Sequence, residues 1–537
     1  MHDDVVIDEL TTLRSQNEQL AKEREEYRRL YLQMLEHCRK LELGLLGQKA
    51  ERLSADEAQL TMQLLGQLLG AQQSDAPPSP PSEMIDDDVW QEVVAHARRK
   101  PGRKPLPEHL PRLEVEVLPP EVQAEGLDAF ERIGQEVCET IERRPASVVV
   151  VRVIRGKFKR KNREADAPPE ILIADVPDLP IQRGLAGPGM LADTVVRRWD
   201  DHCPANRLEQ IYARDGLELS RSTICGWHMQ LEVLVRPLVE AMRVDALASA
   251  VLCVDATGVL VQAKEQCRRA HFWVVVAPER HVLFRFSAKH DSDAVDSFLR
   301  GYSGYLVVDA HVVYDHLFAD GSVIESGCWA HNRRYYFKAL ASDPDRARHA
   351  LALISALFKV ERAIADIPRG KREKIRSEKS KPIVDSFYAW CDAERPKVLD
   401  ETPIAKAIGY SCNQRAALQR FLSDGRLPLH NNISELQLRR EAIGRKNWLF
   451  VGNDEAAEVN CAFVSLIASC KLHRIEPWAY LRDIFCLLPR WPKSRVLDLA
   501  PAYWSKTLEQ DDTRQRLDAD IFRRATLPPP REHPPDG

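Results

Sequence analysis

The stretch 251–262, VLCVDATGVLVQ, decides the fold. Four apolar residues, Val251, Leu252, Cys253 and Val254, run without a break into Asp255, and a β-rich pattern continues to Gln262. A short apolar run of this kind reads as a strand buried in a sheet. Two further β-rich runs follow at 270–276 (AHFWVVV) and 281–287 (HVLFRFS), separated by polar turns as in an antiparallel meander. Next, the pattern predicts a helix over 292–300, a strand over 305–308 (YLVV), a helix near 312–318 and a strand over 323–328. Residues 331–425 read as helical almost throughout.

This β-β-β-α-β-α-β order is that of a ribonuclease-H-like fold, a mixed five-stranded sheet flanked by helices. Two of its strands carry a carboxylate: Asp255 sits inside the first and Asp309 ends the fourth. A carboxylate in an apolar strand is costly to bury unless paired or metal-bound. Either Asp alone reads equally well as a strand-end cap. Two such strands side by side would bring like charges together, where a hard cation such as Mg²⁺ or Mn²⁺ fits an all-oxygen set. A third ligand is expected from a helix, and 431–440 (NNISELQLRR) offers Glu435, with Asn431 or Asn432 as the cap. The competing reading of Glu435 is a first-turn acid favoured by the helix dipole.

Around that centre, Arg439, Arg440, Arg445 and Lys446 form a cluster suited to DNA phosphates. Trp448 reads as core or as a base-stacking ring. Cys328 and His331, three apart in CWAH, lack two further ligands for zinc, so His331, with Arg333 and Arg334, reads as a substrate-strand contact or as structural.

Toward the N-terminus, 206–227 (NRLEQIYARDGLELSRSTICGW) reads as a helix, a turn at Asp215-Gly216 and a second helix capped by Ser220. A recognition helix opening on Arg221, Ser222 and Thr223 suits DNA reading, although any helical hairpin looks alike. Residues 95–180 mix β-rich runs, such as 147–154 (SVVVVRVI), with basic loops at 98–104 and 155–163; Arg103 and Lys104 suggest a minor-groove arm or a plain basic linker. A Pro/Ser linker occupies 71–94. In 8–70, Leu13, Asn17, Leu20, Arg24, Tyr27, Tyr31, Met34, Cys38, Leu41 and Leu45 follow a heptad seam, read as a self-associating coiled coil rather than an amphipathic helix on its own globule. The end of the chain from about 524 (RATLPPPREHPPDG) is expected to be disordered.

Composition bounds these readings. With 537 residues several units are expected, and a net charge of −4 gives no global field toward nucleic acid. Twelve scattered cysteines without a CxxC pair argue against a zinc ribbon and suit a reducing compartment. There is no apolar run of membrane length and no signal-peptide pattern, so a soluble cytoplasmic location, on the nucleoid when DNA-bound, is expected.

Longer strings identify a family. GQKAERLSADEAQL at 47–60, PGRKPLPEHLPR at 101–112, ARDGLELSRSTICGW at 213–227, CWAHNRR at 328–334, DGRLPLHNNISELQLRR at 424–440 and AIGRKNWLFVGND at 442–454 resemble transposases of the insertion sequence 66 family, over roughly 40–505. The resemblance implies a multidomain α+β chain. Beside the coiled coil read from the seam (8–70), its parts would be a degenerate zinc-finger-like basic module (95–180), a helix-turn-helix (181–240), a ribonuclease-H-like core (245–340 and 426–485) with an all-α insertion (341–425), and a C-terminal extension with the disordered tail (486–537). It implies a D-D-E triad of Asp255, Asp309 and Glu435 holding two Mg²⁺ or Mn²⁺ ions. The implied partners are double-stranded DNA, further copies of the chain and small accessory transposition proteins. Three departures stand out. Residues 105–165 lack the family's paired cysteines, Ala256 replaces the usual Glu after the first Asp, and His311 replaces the usual Tyr after the second. They leave open a DNA-binding descendant of weak or no catalytic activity.

Overall fold

The computed structural model describes residues 106–108, 110–144, 147–161, 171–264 and 266–527, together with Lys22. The expected coiled coil apart from that residue, the linker, Arg103, Lys104 and the tail beyond Leu527 lie outside the described residues. Two compact units are present. The larger comprises, among the described residues, 106–330, 366–375 and 414–527; the smaller comprises 331–365 and 376–413. No helix among the described residues is long and apolar enough to cross a membrane.

The larger unit contains two sheets. In the first, β1 (Arg112–Val117), β2 (Phe130–Arg144), β3 (Ser147–Arg160) and β4 (Ile171–Ile173) are centred on β3, which pairs antiparallel with β2 along its whole length and parallel with β1. Alternate residues Val149, Val151 and Val153 point into one core, where Phe522 joins them. Phe522 belongs to the helix Ile521–Thr526, in which Thr526 is also buried. The chain is therefore ordered through Thr526, past the expected start of disorder, because an aromatic anchor pins it to this sheet. The basic stretch 155–163 also differs from expectation. Arg155 to Arg160 form strand rather than loop, and their charges face acids: Arg155 and Lys157 pair with Glu136 and Lys159 with Glu131 across the sheet, and Arg160 pairs with Glu125 at the end of the helix Pro120–Glu125. Ion pairing within the sheet leaves little positive field there for a polyanion.

Helices follow: α1 (Pro188–Trp199), α2 (Ala205–Arg214) and α3 (Arg221–Leu247). Glu142 of β2 holds the start of α1. Its carboxyl group accepts from the Met190 amide at 2.6 Å, and Gly187 and Gly189 leave it room that a Cβ would fill. Between α2 and α3, Gly216 takes φ +78°, a left-handed turn open to glycine, and the Ser220 hydroxyl caps α3 through the Thr223 amide. Leu208, Tyr212, Leu217, Leu219, Ile224 and Trp227 are buried in this hairpin.

The second sheet runs β7-β6-β5-β8-β9, from β5 (Val251–Val261), β6 (Arg268–Ala277), β7 (His281–Ser287), β8 (Gly304–Val308) and β9 (Val323–Gly327). The first three strands are antiparallel and the last two join β5 in parallel, with α4 (Ser292–Leu299) in the crossover. The helix expected near 312–318 is a 3-10 helix, Val312–Phe318. Later in the chain, α5 (Asn432–Trp448) packs against β5 and β6, and α6 (Asp454–Leu472) packs against the edge strand β7. There Ser465 accepts from the Phe284 amide at 2.7 Å, and Ser469 exchanges hydrogen bonds with the backbone of Val282. Helix hydroxyls thus satisfy an edge that would otherwise offer bare backbone groups.

The smaller unit is helical. Tyr336, Phe387 and Ser411 meet inside it, with the Tyr336 hydroxyl 2.9 Å from that of Ser411, which donates to Asn332 at 2.7 Å. A buried Arg376 pairs with Glu361 at 2.7 Å.

Candidate active site

Three chain segments converge beside Asp255, midway along β5. Register is the first cause: Val251 pairs with Tyr305, Leu252 with Leu306 and Cys253 with Val307, so two residues further on Asp255 and Asp309 stand level. Both are half-buried. The chain leaves the sheet directly after Asp309, where Ala310 takes φ +64°, a left-handed conformation costly for a residue with a Cβ. Asp309 braces this turn by accepting from the His311 amide at 3.2 Å, and Asp255 accepts from the Ala256 amide at 2.8 Å.

That departure leaves a gap beside β5, and α5 fills it. Alternate β5 carbonyls face β8, as Ala250 does in accepting from the Tyr305 amide at 2.9 Å. The ladder ends at Cys253, and the next carbonyl on that edge, Val254, accepts from Asn431 Nδ2 at 2.8 Å. Asn431 is fully buried and its own amide donates to the Cys328 sulfur at 3.1 Å. It therefore occupies the cap position of α5 without capping it; its side chain sews the helix to the strand carrying Asp255. Glu435 lies half-buried in the first turn of that helix. Cys328 is explained by the same contact, as a buried acceptor.

Beside the Asp pair lies a group of rings that sequence reading missed. Trp273 of β6 stacks on His290 (centroids 4.6 Å, 12°), and His290 meets His311 edge-on at 4.7 Å and His271 at 4.8 Å. Tyr314 closes the group against Trp273 at 6.2 Å. Burial, and then the charges of Asp309 and Asp255, push the Tyr314 phenol well above its ordinary range, which places it near both carboxylates. Burial, followed by the neighbouring His311, lowers His290 from its ordinary value. The only signal in the sequence was His311 itself, one of the three departures. Among the described residues, no three His, Cys, Asp or Glu side chains meet in an arrangement that could hold a metal ion.

The four cations of α5 divide into two pairs. Arg440, expected to face phosphates, pairs with Asp200 at 2.9 Å, a carboxylate that also holds Lys471 at 2.7 Å. Arg445 donates to Thr257 Oγ1 at 2.8 Å and to the Gly258 carbonyl, tying α5 to β5 a second time. Arg439 and Lys446 are exposed and have no ion-pair or hydrogen-bond partner among the described residues. Trp448 packs back on its own helix, with its indole nitrogen against Gly444. Arg221, Ser222 and Thr223 are exposed at the start of α3. His331, Arg333 and Arg334 belong to the smaller unit, where His331 is half-buried and Arg333 lies over the Phe337 ring at 5.9 Å.

Comparison with known proteins agrees with the strings quoted above. A family model described as "Transposase IS66 family" matches residues 183–459, one described as "IS66 C-terminal element" matches 465–502, and one described as "Transposase C of IS166 homeodomain" matches 34–115. Two proteins of Sinorhizobium fredii (strain NBRC 101917 / NGR234) are similar to the chain. The uncharacterized protein y4hP is 27% identical, covering 87% of this chain and 88% of its own. The uncharacterized protein y4qI is 29% identical, covering 77% and 80%.

Proposed function

Since the chain belongs to the IS66 transposase family, and so to the DNA-binding proteins of transposition, we propose that it is the D-D-E enzyme of that process, cleaving and joining DNA at Asp255, Asp309 and Glu435. The observation that carries this reading is the convergence midway along β5, with Asp255 inside that strand level in register with Asp309 just past the end of β8, and a third carboxylate on the helix that Asn431 ties to Val254. The β7-β6-β5-β8-β9 order, three antiparallel strands followed by two parallel ones, is that expected of a ribonuclease-H-like domain and supports the same reading.

Asp255, Asp309 and Glu435 would hold two Mg²⁺ or Mn²⁺ ions. The fit rests on donor chemistry: three hard oxygen donors, two of them on neighbouring strands and level in register, suit a hard cation. When bound, the ions supply activation of water or a 3′-hydroxyl and stabilisation of the leaving oxygen. The chain's own part is positional. Asn431 and Arg445 fix α5 on β5, Ala310 and His311 fix the Asp309 turn, and Arg439 and Lys446 offer free cations to phosphates. Arg221, Ser222 and Thr223 would contact the element's end, with Arg103 and Lys104 as a basic arm and His331, Arg333 and Arg334 as strand contacts. Synapsis of two ends requires at least two copies, to which the seam within 8–70 would contribute. Small accessory proteins would complete the machinery.

The test is strand nicking of DNA carrying the element's ends, in Mg²⁺ or Mn²⁺, by wild type and Asp255→Ala. Metal-dependent nicking that vanishes in the variant is expected. Specific binding of those ends without nicking by the wild type in either metal would overturn the catalytic reading in favour of a DNA-binding descendant.

A further inference from the structure

The outer face of α5 is left uncovered by the rest of the described larger unit, and its composition is unusual. Leu436, Ile443, Leu449 and Phe450 are between 41% and 64% exposed. On a helix advancing about 100° per residue, Glu435, Lys446, Arg439, Ile443 and Leu436 fall in that angular order within an arc of about 100°. The strip from Glu435 to Lys446 is about 16 Å long at 1.5 Å per residue. Past the helix, Leu449 turns with φ +65°, and Val451 then joins β5 through Leu260, donating to its carbonyl at 2.8 Å. Leu260 is itself exposed, and its cross-strand partner Arg269 is a third exposed cation with no partner among the described residues.

A single exposed leucine needs no explanation, but five large apolar side chains interleaved with three unpartnered cations do. Cations alone would serve a duplex backbone. Apolar and aromatic side chains set among cations fit nucleobases that have left the stack, either by wedging between base steps or by stacking on an exposed base. A protein partner would be matched less well by a strip in which the free charges are all positive.

We propose that this strip binds the unpaired terminal nucleotides of a DNA end, with Leu436 and Ile443 as the wedge, Phe450 as the stacking ring, and Arg439 and Lys446 on the flanking phosphates. It rests on the reading of the chain as a DNA-cleaving transposase, and it adds that the end is opened next to Glu435 by the same helix that carries Glu435.

The probe is a duplex carrying the element's end with 2-aminopurine in its terminal pairs, together with the same duplex left unpaired at those positions. The variants are Leu436→Ser/Ile443→Ser and Phe450→Ala; all three side chains are exposed, so the fold should tolerate them. Wild type and Asp255→Ala should both raise 2-aminopurine fluorescence on binding, which reads the opening without any cleavage. The double variant should lose that rise and cut the paired end about tenfold more slowly, because no wedge then offsets the unstacking of the terminal pair, and Phe450→Ala should slow it by a similar factor, within the range for losing one stacking contact. Pre-unpaired ends should restore its rate. A rise in Asp255→Ala and wild type with no cutting by either would sink the catalytic reading and leave the strip standing. Two results would overturn the strip itself: no rise with wild type, or a double variant equally slow on paired and unpaired ends. A drop in oligomeric mass by light scattering, with DNA opening intact, would assign the strip to a second copy of the chain and overturn it as well.

Discussion

Removing the Asn431 side chain tests whether α5 is held where Glu435 needs it. Asn431→Ala deletes the donor to the Val254 carbonyl, the acceptor that β8 abandons when the chain turns away at Asp309. Stranding a buried carbonyl costs about 1–3 kcal/mol. Asn431 Oδ1 is itself buried without a partner, so the substitution also removes one unsatisfied acceptor. The net loss should therefore lie near the lower end, roughly 1–2 kcal/mol. Catalysis should suffer more. Glu435 begins four residues further along the same helix, and a displacement of ~1 Å can cost about 100-fold in rate. Asn431→Asp should be worse on both counts, because it faces the carbonyl with a second acceptor. Urea unfolding and nicking of end DNA measure the two effects, with Asn432→Ala, an exposed neighbour, as the control. If Asn431→Ala nicks within threefold of wild type, the tie to Val254 is not what positions Glu435, and the account of convergence given above is wrong.

Two further outcomes are expected. Asp200→Asn should destabilise the fold by about 1–3 kcal/mol in denaturant titrations, since it strips Arg440 and Lys471 of the carboxylate that holds both; an unchanged midpoint would mean these pairs contribute nothing. Burial raises the Glu142 carboxyl to about 8, so between the ordinary value of 4.5 and 8 the folded chain keeps a proton that the unfolded chain has released. Stability should fall as pH rises through that window, by an amount on the order of 5 kcal/mol, and Glu142→Gln should flatten the slope; a parallel slope in the variant would show that Glu142 is not its source.

The strands of the central sheet were legible because each has to be apolar to be buried. VLCVD, HFWVVV, HVLFRFS and YLVVD announce themselves, and a carboxylate ending such a run is conspicuous for the same reason. The helix of Glu435 was legible from its own pattern and from the family strings. The sequence did not reveal the fate of charges. Arg439 and Arg440 are neighbours of one type, yet one faces solvent and the other faces Asp200, a contact 240 residues distant. The Arg155 to Arg160 run read as a basic loop, whereas β2 supplies Glu131 and Glu136 to it across the sheet. Asn431 likewise looked like a helix cap, the local role its type favours, but a carbonyl orphaned by the exit of β8 claimed its side chain.

The sequence by itself determined which segments must be buried, and therefore the order of strands and helices and the elements on which Asp255, Asp309 and Glu435 fall. Only the tertiary structure decided which of its many polar groups remain available for DNA and which are consumed in holding the fold. The physical reason is range: burial is encoded in local periodicity, whereas a hydrogen-bond or ion-pair partner is chosen by whatever long-range packing brings within about 3 Å.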